Sequence, residues 1–218
     1  YRRGNPYQAE GARTIGFEIA AQLGGQGEDA VPDWIVVPTG GGGTAAGIWR
    51  AYQELGDLGM VAKASFPKIA TIQPAAYNAL ETALARDLRT EEDLYALGLS
   101  EETPTLLAKL QHGVPPDALY ALAALRESGG AATSVTDDAA TEAQRCLGAK
   151  EGLFVEPSAA AAVAGVERLL AEGTIRPDET VVAVITGSGF RELGAVAGST
   201  PLQRTPLDEA TLLPFLGS

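Results

Sequence analysis

Four consecutive glycines, Gly40, Gly41, Gly42 and Gly43, separate a short apolar stretch from a segment of helical character. The apolar stretch, residues 34–37, is rich in β-branched side chains and is typical of a buried strand. Glycines permit positive φ angles and close approach of a ligand, and the start of a following helix favours an anion. The sequence therefore predicts a phosphate-binding loop, with Thr44 as the candidate N-cap of the helix. The alternative is a tight turn that binds nothing.

The rest of the chain alternates between short apolar strands and longer helices. The expected strands are 34–37, 68–73, 132–135 and 180–185, and the expected helices are 8–23, 44–55, 78–88, 115–127, 137–150 and 157–172. Residues 89–104 are expected to be irregular and exposed, and Asp137 or Asp138 to cap its helix. The alternation predicts an α/β fold of three layers, a mostly parallel sheet with helices on both faces. This domain is expected over 1–198, with an irregular tail over 199–218.

A second glycine-rich turn, residues 186–189, follows the fourth strand. In parallel sheets of this kind, ligands bind at the carboxyl ends of the strands. If the first and fourth strands are neighbours, both turns lie on one rim of the sheet. The sequence therefore predicts a two-part site for a single ligand.

The charge and the rare residue types exclude several classes of function. The 218 residues carry 16 Lys and Arg against 28 Asp and Glu, a net charge of −12 that repels nucleic acid and anionic membranes. The single cysteine, Cys146, excludes a disulfide framework and a zinc cluster, and the single histidine, His112, excludes a His-rich metal site. We expect Cys146 in a helix core and His112 in solvent. With no apolar run near the ~18 residues of a membrane span and no signal peptide, a cytoplasmic protein is expected.

The glycine run does not fully match the sequence patterns of nucleotide-binding loops. A dinucleotide fingerprint requires an acidic residue at the end of the next strand, but that strand ends in Gln73 and Pro74. An ATP-binding loop requires Gly-Lys-Ser/Thr, whereas Ile48 and Trp49 follow Gly47. A smaller phosphate cofactor fits better.

Five motifs, in one order, resemble the threonine synthase family of pyridoxal phosphate (PLP) enzymes, which have the fold type II, or tryptophan synthase β-like, architecture. They are NPYQAEGART from Asn5, PDWIVVPTGGGGTAAGIW from Pro32, ESGG from Glu127, EGLFVEPSAAAAVAG from Glu151 and ITGSG from Ile185. The resemblance runs from residue 1 to about residue 195 and covers only the C-terminal part of such enzymes. It implies a fold type II large domain without its N-terminal part. It also implies a PLP-dependent lyase that acts on a small amino acid by elimination or replacement.

The family's residue roles carry over as implications of this resemblance. The PLP phosphate would bind Gly40, Gly41, Gly42, Gly43 and Thr44, and Thr186 would hydrogen-bond the pyridine nitrogen. A neutral hydroxyl leaves the ring a weaker electron sink than a carboxylate would, which suits elimination and replacement more than transamination. For Glu156, at a helix start, a structural role is favoured over a cofactor-facing one. The substrate-side candidates are Asn5, Gln8 and Ser188.

The family's Schiff-base lysine lies in an upstream Ser-x-Lys segment that does not occur here. Lys63 and Lys68 flank the start of a strand, away from the ligand rim, and Lys109 and Lys150 are expected at the surface. No catalytic residue is therefore assigned to this chain, and the chain alone is expected to be inactive. The start at Tyr1, without Met, indicates a fragment, and family analogy predicts a homodimer at full length.

Departures from the family pattern leave the substrate open. Family members commonly have Arg at Gln8 and Asn at Gly41, and often His at Ser188 and Lys at Arg191. Because a substrate phosphate needs a cationic fork, a serine or threonine dehydratase, or another β-replacement enzyme, stays an alternative to threonine synthesis. The alternatives from other classes are a non-catalytic module that binds PLP or a nucleotide phosphate, and a structural subunit paired with a lysine-bearing chain.

Overall fold

A four-stranded parallel sheet forms the centre of the computed structural model, which describes residues 6–24, 31–100 and 102–192. The strands lie in the order β3-β2-β1-β4, and each neighbouring pair is parallel. They are β1 (Trp34–Pro38), β2 (Lys68–Pro74), β3 (Ala131–Val135) and β4 (Val181–Ala183). The predicted parallel sheet is confirmed, while the expected tail over 199–218 lies outside the described residues.

Helices cover both faces of this sheet. They are α1 (Pro6–Gly24), α2 (Gly43–Asp57), α3 (Ala79–Ala85), α4 (Glu91–Tyr95), α5 (Ala118–Ser128), α6 (Asp137–Glu151) and α7 (Pro157–Ala171). Because side chains alternate along a strand, Ile35 and Val37 pack into the core under α2 and α5. Trp34 and Val36 pack into the opposite core with α6 and α7. The predicted three-layer arrangement is therefore confirmed.

The order of the strands creates a crevice at one edge. From β1 the chain runs outward through β2 and β3, and then returns to place β4 on the other side of β1. β1 thus lies between β2, the next strand along the chain, and β4, the last of the described strands. In open parallel sheets, such a switch point at the carboxyl ends of the strands is where ligands bind.

Several helix starts differ from the prediction. Gly42, not Thr44, is the N-cap of α2. Thr136 caps α6, its hydroxyl accepting a hydrogen bond from the Ala139 N–H at 3.2 Å, and Asp137 and Asp138 lie in the first turn. There the two carboxylates face the positive end of the helix dipole without serving as the cap.

The stretch 89–104 is not irregular throughout, because it contains α4. The Thr90 hydroxyl accepts from the Asp93 N–H at 3.2 Å, and the Asp93 carboxylate accepts from the Thr90 N–H at 3.1 Å. This reciprocal capping box starts the helix. Leu94 then anchors it in the core at 1% exposure. None of the helices in the described ranges is long and apolar enough to cross a membrane.

Helices α1 and α2 approach each other closely through two glycines. A Cβ at Gly16 would lie 2.6 Å from the Ala51 Cβ, and a Cβ at Gly47 would lie 2.6 Å from the Ala12 Cβ. Neither contact leaves room for a side chain without moving the helices apart. This packing holds α2, whose first residues form the end of the glycine loop.

Replacing Gly16 with Ala should lower the free energy of unfolding by about 1–2 kcal/mol, because overpacking outweighs the helix propensity gained. The matched control on the same helix is Gly11→Ala, since a Cβ there meets no atom within 4 Å. That change should raise the free energy of unfolding by roughly 0.5–1 kcal/mol. Urea denaturation of both variants measures the difference, and equal effects of the two changes would contradict the close helix contact.

Candidate functional site

The glycine loop, residues 40–43, connects β1 directly to α2. Gly42 has φ 97° and precedes the first helical residue, Gly43, without any side chain to cap the helix. The first N–H groups of a helix have no partner within it, and the helix dipole makes this end positive. The loop therefore presents backbone donors to whatever lies in front of α2.

Close neighbours explain two of the glycines in this loop, Gly40 and Gly42. A Cβ at Gly40 would lie 2.7 Å from the backbone oxygen of Lys109, and one at Gly42 would lie 3.0 Å from that of Asp117. The Asp117 N–H also donates to the Gly41 oxygen at 2.8 Å. The loop is thus wedged between the turn Ala108–Leu110 and the start of α5, and side chains would push it out of place.

The second turn, residues 186–189, is held by the segment that precedes α7. The Glu156 N–H donates to the Gly187 oxygen at 3.1 Å, and the Gly189 N–H donates to the Phe154 oxygen at 3.0 Å. The rings of Phe154 and Phe190 meet edge to face, with their centroids 5.0 Å apart. These contacts fix the turn relative to α7 as well as to β4.

The two turns line one cleft of about 300 Å³ at the carboxyl ends of β1 and β4. Its lining residues are Pro38, Thr39, Gly40, Gly41, Gly42, Gly43, Thr44, Lys109, Leu110, His112, Glu156, Thr186 and Arg191. The structure thus brings Thr186 to the same cleft as all four loop glycines and Thr44. We call this space the glycine-loop cleft.

A match to a known family decides the identity of the chain. Residues 1–187 match the family model described as pyridoxal-phosphate dependent enzyme. The chain belongs to this family. The resemblance found in the motifs, and with it the expected cofactor, is confirmed.

Individual relatives in this PLP-dependent family are threonine synthases. That of Methanocaldococcus jannaschii is 37% identical over 188 residues, 86% of this chain and 44% of the relative. That of Methanosarcina acetivorans is 40% identical over 183 residues, 84% of this chain and 42% of the relative. The chain therefore spans less than half the length of these relatives.

Solved structures of other enzymes share the fold. A fungal L-serine ammonia-lyase from Rhizomucor miehei superposes with a TM-score of 0.62 at 22% identity, over 83% of this chain and 51% of that one. The processed form of threonine deaminase isoform 2 from Solanum lycopersicum gives 0.65 at 22% identity, over 87% and 46%. The predicted fold type II architecture is thereby confirmed.

The glycine-loop cleft fits the PLP phosphate. Its floor is the backbone of the glycine loop, at the positive end of a 15-residue helix. Lys109 and Arg191 add cationic side chains to its lining. An anion is therefore favoured here although the whole chain is acidic.

A second cleft does not suit such an anion. It has about 310 Å³ and lies beside the ends of β2 and β3, with Asp137 and Asp138 in its lining. The Asp137 carboxylate accepts hydrogen bonds from the Thr105 hydroxyl at 2.6 Å and from the Leu106 N–H at 2.8 Å. None of the predicted site residues lines it.

None of the substrate-side candidates is among the described residues that line the glycine-loop cleft. Gln8 lies in α1, and Asn5 lies outside the described residues. Ser188 pairs with Val155 in an isolated bridge, and its hydroxyl accepts from the Phe190 N–H at 3.4 Å. It is not among the residues that line the glycine-loop cleft, so its role toward a substrate stays a prediction.

Lys109 is exposed, as predicted, and it also lines the cleft, as does the half-buried His112. The Lys109 N–H donates to the Ser158 hydroxyl at 3.3 Å, and its Nζ lies 3.4 Å from Glu192 Oε1. His112 lies beside Gly40, where a Cβ would be 3.0 Å from its Cδ2. Both come from an irregular segment before α5, which carries no periodic signal that would have placed them.

Glu156 is the only acidic residue among the described residues that line this cleft. Its side chain is buried at 4% exposure, and Oε2 has no hydrogen-bond partner among the described residues. Burial raises the pKa of this carboxyl and Glu192 raises it further, while Arg191 and Lys109 oppose the shift. The sequence favoured a structural role for Glu156. The structure buries its side chain and also places it in the lining of the glycine-loop cleft.

Replacing Gly42 with Ala should weaken PLP binding roughly tenfold to a hundredfold. A loss of this size corresponds to one hydrogen bond to a charged group. The reason is the positive φ of 97° and the contact with Asp117. The control is Gly59→Ala beyond the far end of α2, where φ is 69° and no atom lies within 4 Å of a Cβ. It should cost about 1–2 kcal/mol of stability and leave binding unchanged. Equilibrium dialysis and thermal melts compare the two, and equal affinities would refute the loop assignment.

Proposed function

We propose that this chain provides the cofactor-phosphate part of a PLP-dependent lyase of the threonine synthase type. The enzyme would act on a small amino acid by elimination or replacement at Cβ or Cγ. The observation that supports this most is the single cleft between the glycine loop and Thr186. The threonine synthase relatives support the reaction class.

Each residue group has a distinct task in this proposal. The N–H groups at the start of α2 and the Thr44 hydroxyl hold the phosphate, and the Thr186 hydroxyl meets the pyridine nitrogen. When bound, PLP supplies an electron sink for bonds broken at the amino acid Cα. Because the Thr186 hydroxyl is neutral, the cofactor ring would withdraw electrons less strongly than it would beside a carboxylate. This favours loss of a side-chain leaving group.

We further propose that the Schiff-base lysine is not one of the four in this chain. Lys68 lies at the amino end of β2, with its Nζ 4.9 Å from the centre of the Trp34 ring. Lys63 pairs with Asp57 at 2.6 Å, and Lys150 lies in the last turn of α6. Lys109 does line the cleft, but its ammonium is engaged with Glu192.

Borohydride reduction in the presence of PLP, followed by peptide mass mapping, tests the lysine assignment. We expect the reduced adduct on a lysine outside these 218 residues in the protein at its full natural length. The Lys109→Arg variant should carry the same adduct in the same yield. An adduct on Lys109 in the parent protein would contradict the assignment.

A dehydratase acting on serine or threonine is the second candidate. It is favoured by the uncharged Gln8 and Gly41, which provide no fork for a substrate phosphate. By family analogy, we propose a cytoplasmic homodimer in either case.

Product analysis distinguishes the two reactions and the non-catalytic alternative. The full-length protein with PLP is offered O-phosphohomoserine, L-threonine and L-serine separately. Release of threonine and inorganic phosphate from the first is the expected result. Release of ammonia and a 2-oxo acid from the others would establish the dehydratase. Tight PLP binding without any product would leave only a binding module.

A further inference from the structure

Glu156 occupies the N-cap position of α7, yet its side chain does not cap the helix. No hydrogen bond from the helix start reaches the carboxyl. An N-cap side chain ordinarily accepts such a bond, which satisfies one of the unpaired N–H groups. The carboxyl instead lies among the residues that line the glycine-loop cleft.

The carboxyl packs against the backbone of Gly187. A Cβ at Gly187 would lie 2.3 Å from Glu156 Oε1 and 2.4 Å from its Cδ, and its three nearest atoms would all belong to Glu156. The backbone bond from the Glu156 N–H to the Gly187 oxygen fixes the same pair at 3.1 Å. Gly187, the residue immediately after Thr186, therefore has no side chain in the space that the Glu156 carboxyl occupies.

The surroundings of this carboxyl disfavour its negative charge. It is 4% exposed and its Oε2 lacks a hydrogen-bond partner among the described residues, so ionisation would place a charge in a buried position without a hydrogen bond to that oxygen. Glu192 adds repulsion, whereas Arg191 and Lys109 attract, and His112 lies in the same cleft. A phosphate bound in this cleft would add further negative charge and disfavour ionisation more strongly.

We propose that Glu156 is a positioning residue for the cofactor, whose neutral carboxyl supports the Thr186–Gly187 backbone so that Thr186 meets the cofactor ring. Neutrality also keeps a negative charge away from the bound phosphate. The inference rests on the proposed function, because it takes PLP as the ligand of the cleft.

PLP affinity as a function of pH, measured by equilibrium dialysis on the full-length protein, tests the role. The parent protein should bind PLP more weakly as pH rises through the raised pKa of Glu156, because ionisation then opposes the anion. Glu156→Gln, which is isosteric and always neutral, should lack this decline and match the parent at low pH. Glu151→Gln, which removes an exposed charge at the end of α6, should keep the parent profile.

A double-mutant cycle tests the contact with Gly187. Glu156→Ala and Gly187→Ala should each weaken PLP binding by about tenfold, as expected for one lost supporting contact. In the Glu156→Ala background, the Gly187 change should have little further effect, because its colliding partner is gone. Additive losses would overturn the proposed contact.

Two further results would overturn the positioning role. One is Glu156→Gln binding PLP as poorly as Glu156→Ala, which would mean that the negative charge is required. The other is parallel pH profiles for the parent and Glu156→Gln, the result expected of a merely structural residue. If Glu156→Ala fails to fold, the glutamine profile alone decides. Absence of PLP binding in the parent would instead refute the proposed function itself.

Discussion

The site depends on the pairing of β1 with neighbours on both sides. Val36 lies opposite Ala70 of β2 and opposite Ala183 of β4, so β1 is buried and its carboxyl end opens onto the rim of the sheet. In open parallel sheets, ligands bind in the crevice at the carboxyl ends of the strands, where the strand order changes direction. The glycine loop, the second turn and the start of α7 all take their positions from this arrangement.

The glycine-loop cleft shows why net charge is a poor guide to the charge of a local site. The chain carries a net charge of −12, yet the cleft combines the positive end of α2 with Lys109 and Arg191. Backbone dipoles act over a few ångströms, whereas exposed carboxylates elsewhere are screened by solvent and salt. Local geometry therefore decides anion binding, and the overall charge decides only which large partners are repelled.

The parallel sheet could be predicted from local patterns and general rules of connection. The two-turn rim could be predicted only on the condition that β1 and β4 are neighbours, which the structure shows. The β-branched run before Gly40 and the glycines themselves are such patterns. Lys109 could not be placed, because its segment, a single turn tethered to Ser158, has no periodicity. The fit of Glu156 against Gly187 joins residues far apart in the chain, and only the folded backbone shows it. The N-cap of α6 was predicted wrongly because Thr136 and Asp137 are both good cap residues, and only the folded geometry distinguishes them.

The two sides of the cleft are built from different parts of the chain, one from backbone and the other from side chains. The phosphate side is made of backbone at Gly40 and Gly42, where any side chain collides, so it tolerates little change. The opposite side is made of side chains on Thr186, Arg191 and Glu156. The fold alone does not fix the reaction, since a threonine deaminase and a serine ammonia-lyase share it with this chain.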